Sequence, residues 1–464
     1  MAQPARTAPL SGNAVIDGLM LGGAWSGPTI TYGFMRGDID RNGKNDFDEG
    51  DWKSFYREIT GNVETFANVR FREVTGRANI NFRLDEGGGG ESGVPVNGTT
   101  DVETAVGIAP DAAGAAAVVR LGTYSVTWFH EIGHALGLKH PHDDEGGSFP
   151  KLPGVDEPGD QGSTYLNSQI NTVMGYTWSF LPEDNPFTDT VDFGTAVNAQ
   201  PGSFGAIDIA ALQHLYGARS HNTGDSTYVF NDDVDANKGY TTIWDTGGSD
   251  TIVYAGTNRA KIDLREATLQ NEIGGGGWVS TSETLTGGFT IAHGVTIEKA
   301  VGNNAADILI GNDTANVLDG RGGNDSISGR GGNDTLIGGS GADVLNGGSG
   351  SDRLIGGAGA DVFLFRLDGT SKDTIVDLSA QDVLVTTREI HDGNRDGIIK
   401  AGRDGIFDLG NGNRVVITTE LNRKVSSIEF DGSFVQHDQT YYVYSRTGSA
   451  AGVGTATEHD FLSL

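Results

Sequence analysis

Four side chains at fixed offsets could hold a metal ion and use it: His130, Glu131, His134 and His140, in the order H-E-x-x-H-x-x-G-x-x-H. On a helix, residues four apart lie one turn apart on one face, so His130 and His134 can bind a single tetrahedral ion. Glu131 stands beside that face, where a carboxylate can act as a base toward water. Gly137 can take positive φ, ending the helix and swinging His140 back as a third ligand. Three protein ligands leave one position open for water, which marks a catalytic rather than a structural zinc site. H-E-x-x-H alone is weak, since ordinary helices carry it by chance. The added glycine and third histidine make it specific.

A second chemistry recurs with a period of nine between residues 302 and 364. Asp307, Asn316, Asp325, Asp334, Asp343, Asp352 and Asp361 keep one beat, and an apolar residue follows each at the second position, from Leu309 to Phe363. Glycines from Gly302 to Gly356 keep the same spacing. This is the pattern of a calcium-binding parallel β-roll. A glycine-rich turn presents carbonyls and a carboxylate to Ca2+, and a three-residue strand then points its middle side chain into a thin core. Asp325, Asp334, Asp343, Asp352 and Asp361 are the expected ligands. Ala305 and Thr314 stand where the first two repeats should have glycine, so those sites are expected to be weaker.

A third stretch, Asp38 to Glu49, fits an EF-hand loop at Asp38, Asp40, Asn42, Gly43, Asp46 and Glu49. A strand rather than a helix leads into it, and a polar surface turn explains the same composition. Asp392 to Gly397 begins the same way, but Arg403 occupies the last ligand position, so it reads as a turn.

The elements that must position these groups are legible in outline. Thr29 to Phe34, Val69 to Val74 and Ile80 to Leu84 read as strands. Trp52, Phe55, Ile59, Val63, Phe66 and Val69 recur every three or four residues, as on an amphipathic helix. Residues 115–129 run into the zinc helix, with Thr127 as its N-cap. Residues 141–171 form a long polar loop, and Asp208 to Gly217 a helix ended by glycine. From 373 to 445 the chain alternates like strands.

Composition narrows the function. Lys+Arg 32 against Asp+Glu 62 gives a net charge of −30, which excludes nucleic acid and anionic membrane as natural partners. Cation binding would relieve that self-repulsion. With no cysteine there are no disulfides or thiolate zinc ligands. No apolar run is long enough for a transmembrane helix, and the first residues lack the apolar core of a secretory signal peptide.

Thr172-Val173-Met174-Gly175-Tyr176 taken alone is an ordinary core methionine beside a tyrosine. Downstream of the zinc motif it resembles the Met-turn of metzincins. With Asp208 to Gly217, Ile243 to Thr251, Gly294 to Glu298 and the repeats, nearly the whole chain resembles a serralysin, a secreted bacterial zinc metalloprotease with a C-terminal β-roll. The resemblance implies an α+β metzincin-type zinc protease domain over 1–217. An all-β parallel β-roll/β-sandwich calcium-binding domain follows over 218–464. It implies a zinc metalloendopeptidase with Zn2+ on His130, His134 and His140, and Glu131 as general base. Tyr176 is implied as a further zinc ligand that swings to the reaction intermediate, with Met174 supporting the site by packing and Ca2+ as a structural cofactor.

The tail Glu458 to Leu464 is similar to the uncleaved secretion signal read by a type I ABC exporter. The protein is then expected outside the cell, free or on its surface. Its partners would be protein or peptide substrates, that secretion apparatus, and a proteinaceous inhibitor or cell-surface layer. The chain departs from the family pattern in three places. The loop at 38–49 is not a feature the family fixes, 141–171 is longer and more acidic, and any pro-region is very short. Two rival readings are a calcium-folded surface adhesin whose protease half is inactive, and a zinc hydrolase acting on something other than peptides.

Overall fold

The structure is a computed structural model. It describes all residues except 1–3, 36–51, 87–89, 96–97, 109–123, 145–147, 161, 163, 177–200, 233–238, 284–287, 368–370, 393–395, 420, 437 and 450–464. The EF-hand-like loop 38–49 and the tail 458–464 therefore lie outside the described residues.

In the first part of the chain, five strands form one mostly parallel sheet: β1 (Thr29–Phe34), β2 (Arg70–Glu73), β3 (Ile80–Glu86), β4 (Gly90–Ser92) and β5 (Val102–Ile108). Their order is β2-β1-β3-β5-β4, and only the β4–β5 pair is antiparallel. Among the described residues four helices accompany it: α1 (Ala14–Asp17), α2 (Trp52–Phe66), α3 (Tyr124–Ala135) and α4 (Ala206–Tyr216). Helix α2 buries Tyr56, Ile59, Val63 and Phe66, the stripe that its spacing dictates. Val69 is buried beyond the helix end.

An aromatic cluster ties this sheet to the motif helix. Tyr56 of α2 stacks on Phe82 of β3 with ring centroids 3.8 Å apart, and meets Trp128 of α3 edge-on at 4.2 Å. Burying three such rings is worth several kcal/mol by area alone, of order 2–3 kcal/mol each. Helix α3 starts at Tyr124, so Thr127 lies inside its first turn and is not the N-cap. Val126 is buried together with Phe129 and Ile132, which carries the apolar face a turn further toward the N-terminus.

Beyond Gly217 the described chain has strands only. From Lys299–Val301 to Val383–Thr386 successive strands alternate between two sheets, and within each sheet these strands are parallel. Leu309 pairs with Ile327, Ile327 with Leu345, and Leu345 with Phe363 in one sheet. Leu318, Leu336 and Leu354 line up in the other. Two nine-residue repeats thus make one full coil, and all seven of these apolar side chains are fully buried between the sheets. In one sheet the strands are three residues long, as at Ser326–Ser328. In the other, Val317–Gly322, Thr335–Ser340 and Arg353–Ala358 run six residues, continuing into the glycine turn. The coil ends in an antiparallel hairpin, Ser427–Gln436 with Gln439–Arg446. Among the described residues no helix is long and apolar enough to cross a membrane.

The two parts touch directly. Asn13 Nδ2 donates to Leu269 O at 3.0 Å, Thr164 Oγ1 to Asn271 Oδ1 at 2.8 Å, and Thr242 N to Ser203 Oγ at 2.9 Å.

Candidate metal centre and calcium turns

Helix α3 ends in a glycine cap that builds the histidine site. Gly137 has φ +106°, its N–H bonds His134 O, and Leu138 N bonds Gly133 O, a Schellman arrangement. A side chain at Gly137 would overlap the Gly23 carbonyl. The remaining helix-end carbonyls find side-chain donors: Trp25 Nε1 reaches Ala135 O at 2.9 Å and the Tyr216 hydroxyl reaches Leu136 O at 2.7 Å. After the cap the chain is held against residues 18–21, through Lys139 N to Leu19 O and Leu21 N to Gly137 O. The Lys139 ammonium is buried and donates to Gly18 O at 2.7 Å and Asp143 O at 2.6 Å.

This folding brings three imidazoles to one point. Nε2 of His140 lies 3.1 Å from Nε2 of His130 and 3.0 Å from Nε2 of His134. Each ring's other nitrogen faces an acceptor: His130 Nδ1 meets Val173 O at 2.9 Å, His134 Nδ1 meets Leu138 O at 2.9 Å, and His140 Nδ1 meets Asp143 Oδ2 at 2.7 Å. A carbonyl or carboxylate can only accept, so every Nδ1 carries the proton and every Nε2 presents a lone pair. Burial, reinforced by the neighbouring rings, pushes His130 and His134 down to about 4, which keeps them neutral. Three lone pairs at this separation repel one another unless a cation sits among them. The donor set of neutral imidazoles suits zinc.

Glu131 is 4% exposed, and its Oε2 is buried with no hydrogen-bond partner. Burial, with a smaller effect from Glu91, raises it to about 8. Tyr176 is 41% exposed and its hydroxyl lies 2.7 Å from His140 Nε2. Met174 is fully buried directly beneath α3, where a methyl on Gly133 would stand 2.6 Å from its Sδ. His142 is not a free loop residue: its ring lies 5.3 Å from that of His140 at an interplanar angle of 13°.

Two supporting groups carry no site signal in the sequence. Asp143 orients His140. Asp208, at the start of α4, accepts from Gly205 N at 2.9 Å, Val173 N at 2.7 Å and Thr172 Oγ1 at 2.6 Å. It thereby fixes the carbonyl that holds His130. Its complete burial outweighs those three bonds and raises it to about 7.

In the coil, the aspartates form a ladder. Oδ1 of Asp325, Asp334, Asp343 and Asp361 each accepts the backbone N–H of the residue eighteen earlier, at 2.7 to 3.0 Å. Asp352 does the same at 2.9 Å. In all five the second oxygen, Oδ2, is buried without a partner. Burial raises Asp325, Asp334 and Asp361 to about 8 and Asp343 to about 6. A buried, unpaired carboxylate oxygen facing a turn of backbone carbonyls fits a hard cation such as calcium.

The first two repeats are different. Asp307 Oδ2 accepts from Asn303 N at 2.6 Å and its Oδ1 from Ala260 N at 2.7 Å. In the second repeat Asn316 replaces the carboxylate, and Asn312 donates to Leu264 O and Ile297 O. Here amides do the work that the later turns leave open. Asp392 Oδ2 accepts from Gly397 N, five residues on, at 2.7 Å, and Asp396 Oδ1 accepts from Ile398 N at 2.9 Å with the spacing of an Asx turn.

Residues 301–336 and 328–363 match the RTX calcium-binding nonapeptide repeat. Over a longer span the chain is similar to serralysin C of Dickeya chrysanthemi, 33% identical over 268 residues that cover 53% of this chain and 50% of that one. Serralysin B of the same organism is 36% identical over 205 residues, covering 41% and 36%. Metalloprotease AprA of Pseudomonas entomophila (strain L48) is 36% identical over 196 residues, covering 40% and 36%. Among solved structures the chain is similar to myroilysin, 18% identical over 42% of this chain and 95% of that one. The TM-score of 0.25 is too low to carry a structural argument. The matched segments span half or less of the curated relatives' lengths. The chain is serralysin-like and carries RTX repeats.

Proposed function

We propose that the protein is a secreted zinc endopeptidase, with residues 1–217 as a metzincin-type protease domain and 218–464 as a calcium-folded β-roll domain. The observation that carries the reading is the convergence of three neutral Nε2 atoms at the helix that also carries Glu131, whose buried Oε2 has no hydrogen-bond partner. His130, His134, His140 and Tyr176 would hold the zinc. Zinc supplies Lewis acidity, polarising a scissile carbonyl and acidifying water. Glu131 takes the proton from the attacking water and passes it to the leaving amine. The Tyr176 hydroxyl donates to the carbonyl oxygen as negative charge develops there. Met174 and Asp208 keep the histidines in place.

Asp325, Asp334, Asp343, Asp352 and Asp361 would bind calcium, and that binding becomes folding free energy. The coil then stays unfolded where calcium is scarce and folds outside the cell. This also suits export through a type I ABC apparatus. Hydrolysis of an unfolded protein substrate in calcium, with and without a zinc chelator and beside Glu131→Gln, tests the reading. Activity is expected only in the zinc-loaded wild type. A folded, zinc-loaded wild type that cleaves no peptide bond overturns it in favour of a binding protein or another zinc hydrolase.

A further inference from the structure

The three histidines are not held alike. His130 and His134 lie on α3, and backbone carbonyls fix their Nδ1 atoms. His140 lies beyond the glycine cap on irregular chain, and what meets its Nδ1 is a side chain, Asp143 Oδ2 at 2.7 Å. Asp143 N bonds His140 O at 3.1 Å, closing a turn that folds the carboxylate back onto the ring. Lys139 holds that turn from below through Asp143 O. The other carboxylate oxygen, Oδ1, lies 3.3 Å from His142 Nε2, and the His142 ring lies nearly parallel to that of His140.

We infer that Asp143 is the positioning residue for the third histidine, and that His142 holds Asp143 in turn. This rests on the reading of His130, His134 and His140 as the metal-holding set. A carboxylate on Nδ1 fixes both the tautomer and the ring plane of His140, and makes its Nε2 a better donor than the carbonyl-bound rings. Removing such a partner costs about 10- to 100-fold in metal affinity. His142 is therefore a brace for the carboxylate, not a ligand.

The test is zinc affinity, measured on the full chain in saturating calcium by competition with a chromophoric chelator. Asp143→Ala is expected to weaken zinc about 10- to 100-fold. Asp143→Asn keeps an acceptor but loses the charge, so it should recover part of that loss and remain at least about threefold weaker than wild type. His142→Ala should cost less than either. A thermal melt in calcium shows whether each variant is folded, and Asp143→Asn decides if the alanine variant is not. Zinc affinities of both Asp143 variants within about twofold of wild type would overturn the inference. So would a His142→Ala loss as large as that of His140→Ala, because the metal would then sit among His140, His142 and Asp143. A wild type that binds zinc tightly but cleaves no peptide defeats the proposed activity and leaves this inference standing. Unchanged affinity in His140→Ala defeats the metal set itself.

Discussion

The histidine cluster and the aspartate ladder solve the same problem, one with neutral groups and the other with acidic ones. In both, one atom of each ligand group is held by a hydrogen bond, to the backbone everywhere except at His140, and the other is left open. The histidines are neutral, and each is anchored on structure that exists for other reasons: a capped helix, the Met174 turn, the Asp143 turn. That site can stand before its metal arrives. The ladder places five buried carboxylates in a chain already carrying a net charge of −30, each with one oxygen unpaired. Without a cation those turns are electrostatically unfavourable. On the proposed reading, one region has a fold that makes a metal site, and the other has metal sites that make a fold.

The largest expected effect sharpens this contrast from the histidine side. Glu131→Gln should lower kcat/KM on an unfolded protein by about 10²- to 10⁴-fold, with unchanged zinc affinity and unchanged melting in calcium. A variant within tenfold of wild type would remove Glu131 from the chemistry.

Next comes the metals' unequal claim on the fold. Chelating calcium above pH 8, where the ladder carboxylates are ionised, should abolish the strand signal of the coil in circular dichroism. Removing zinc alone should leave that spectrum unchanged. A coil that persists without calcium breaks the comparison.

Within the ladder, Asp343→Asn should raise the calcium concentration at the folding midpoint about tenfold, about 1.4 kcal/mol. Asp307→Asn, whose oxygens are already satisfied by Asn303 and Ala260, should shift it less. Equal shifts would mean that the first turn also binds calcium.

The smallest effect is on pH. The folded carboxylates of Asp325, Asp334 and Asp361 titrate near 8 and Asp343 near 6, all raised by burial above an unfolded value near 3.8. Protons therefore bind the folded coil more tightly, and its stability falls as pH rises through 6 to 8. In a calcium chelator, residual strand signal should be greater at pH 5 than at pH 9. The opposite trend would show that these carboxylates are not buried.

Both metal-ready regions were legible in the sequence for the same reason, that each has a fixed local spacing. H-E-x-x-H-x-x-G-x-x-H places two ligands on one helix face and a third just past its cap. The nine-residue beat places the recurring apolar side chain of each repeat, from Leu309 to Phe363, between two sheets. What spacing does not encode is support from afar. Asp208 reaches Val173 across thirty-five residues of chain, and Asn303 satisfies Asp307 through a backbone N–H that any residue would have. Asp143 lies close enough to have been noticed, but an aspartate after His-Pro-His looks like any polar loop until its turn folds back. Thr127 has the side chain of a good cap, but the apolar face runs on to Val126 and the helix includes both.

The ladder also dictates how this coil can change length. The backbone N–H groups of Asp307, Asn316, Asp325, Asp334 and Asp343 are each claimed by a carboxylate eighteen residues later, and consecutive repeats lie on opposite sheets. Deleting one nine-residue repeat would transfer every later strand to the other sheet. Six-residue strands such as Arg353–Ala358 would then stack on three-residue ones such as Ser326–Ser328. Deleting two repeats restores the register. Variation in coil length should therefore come in pairs of repeats, a parity rule set by the sheets rather than by the ions.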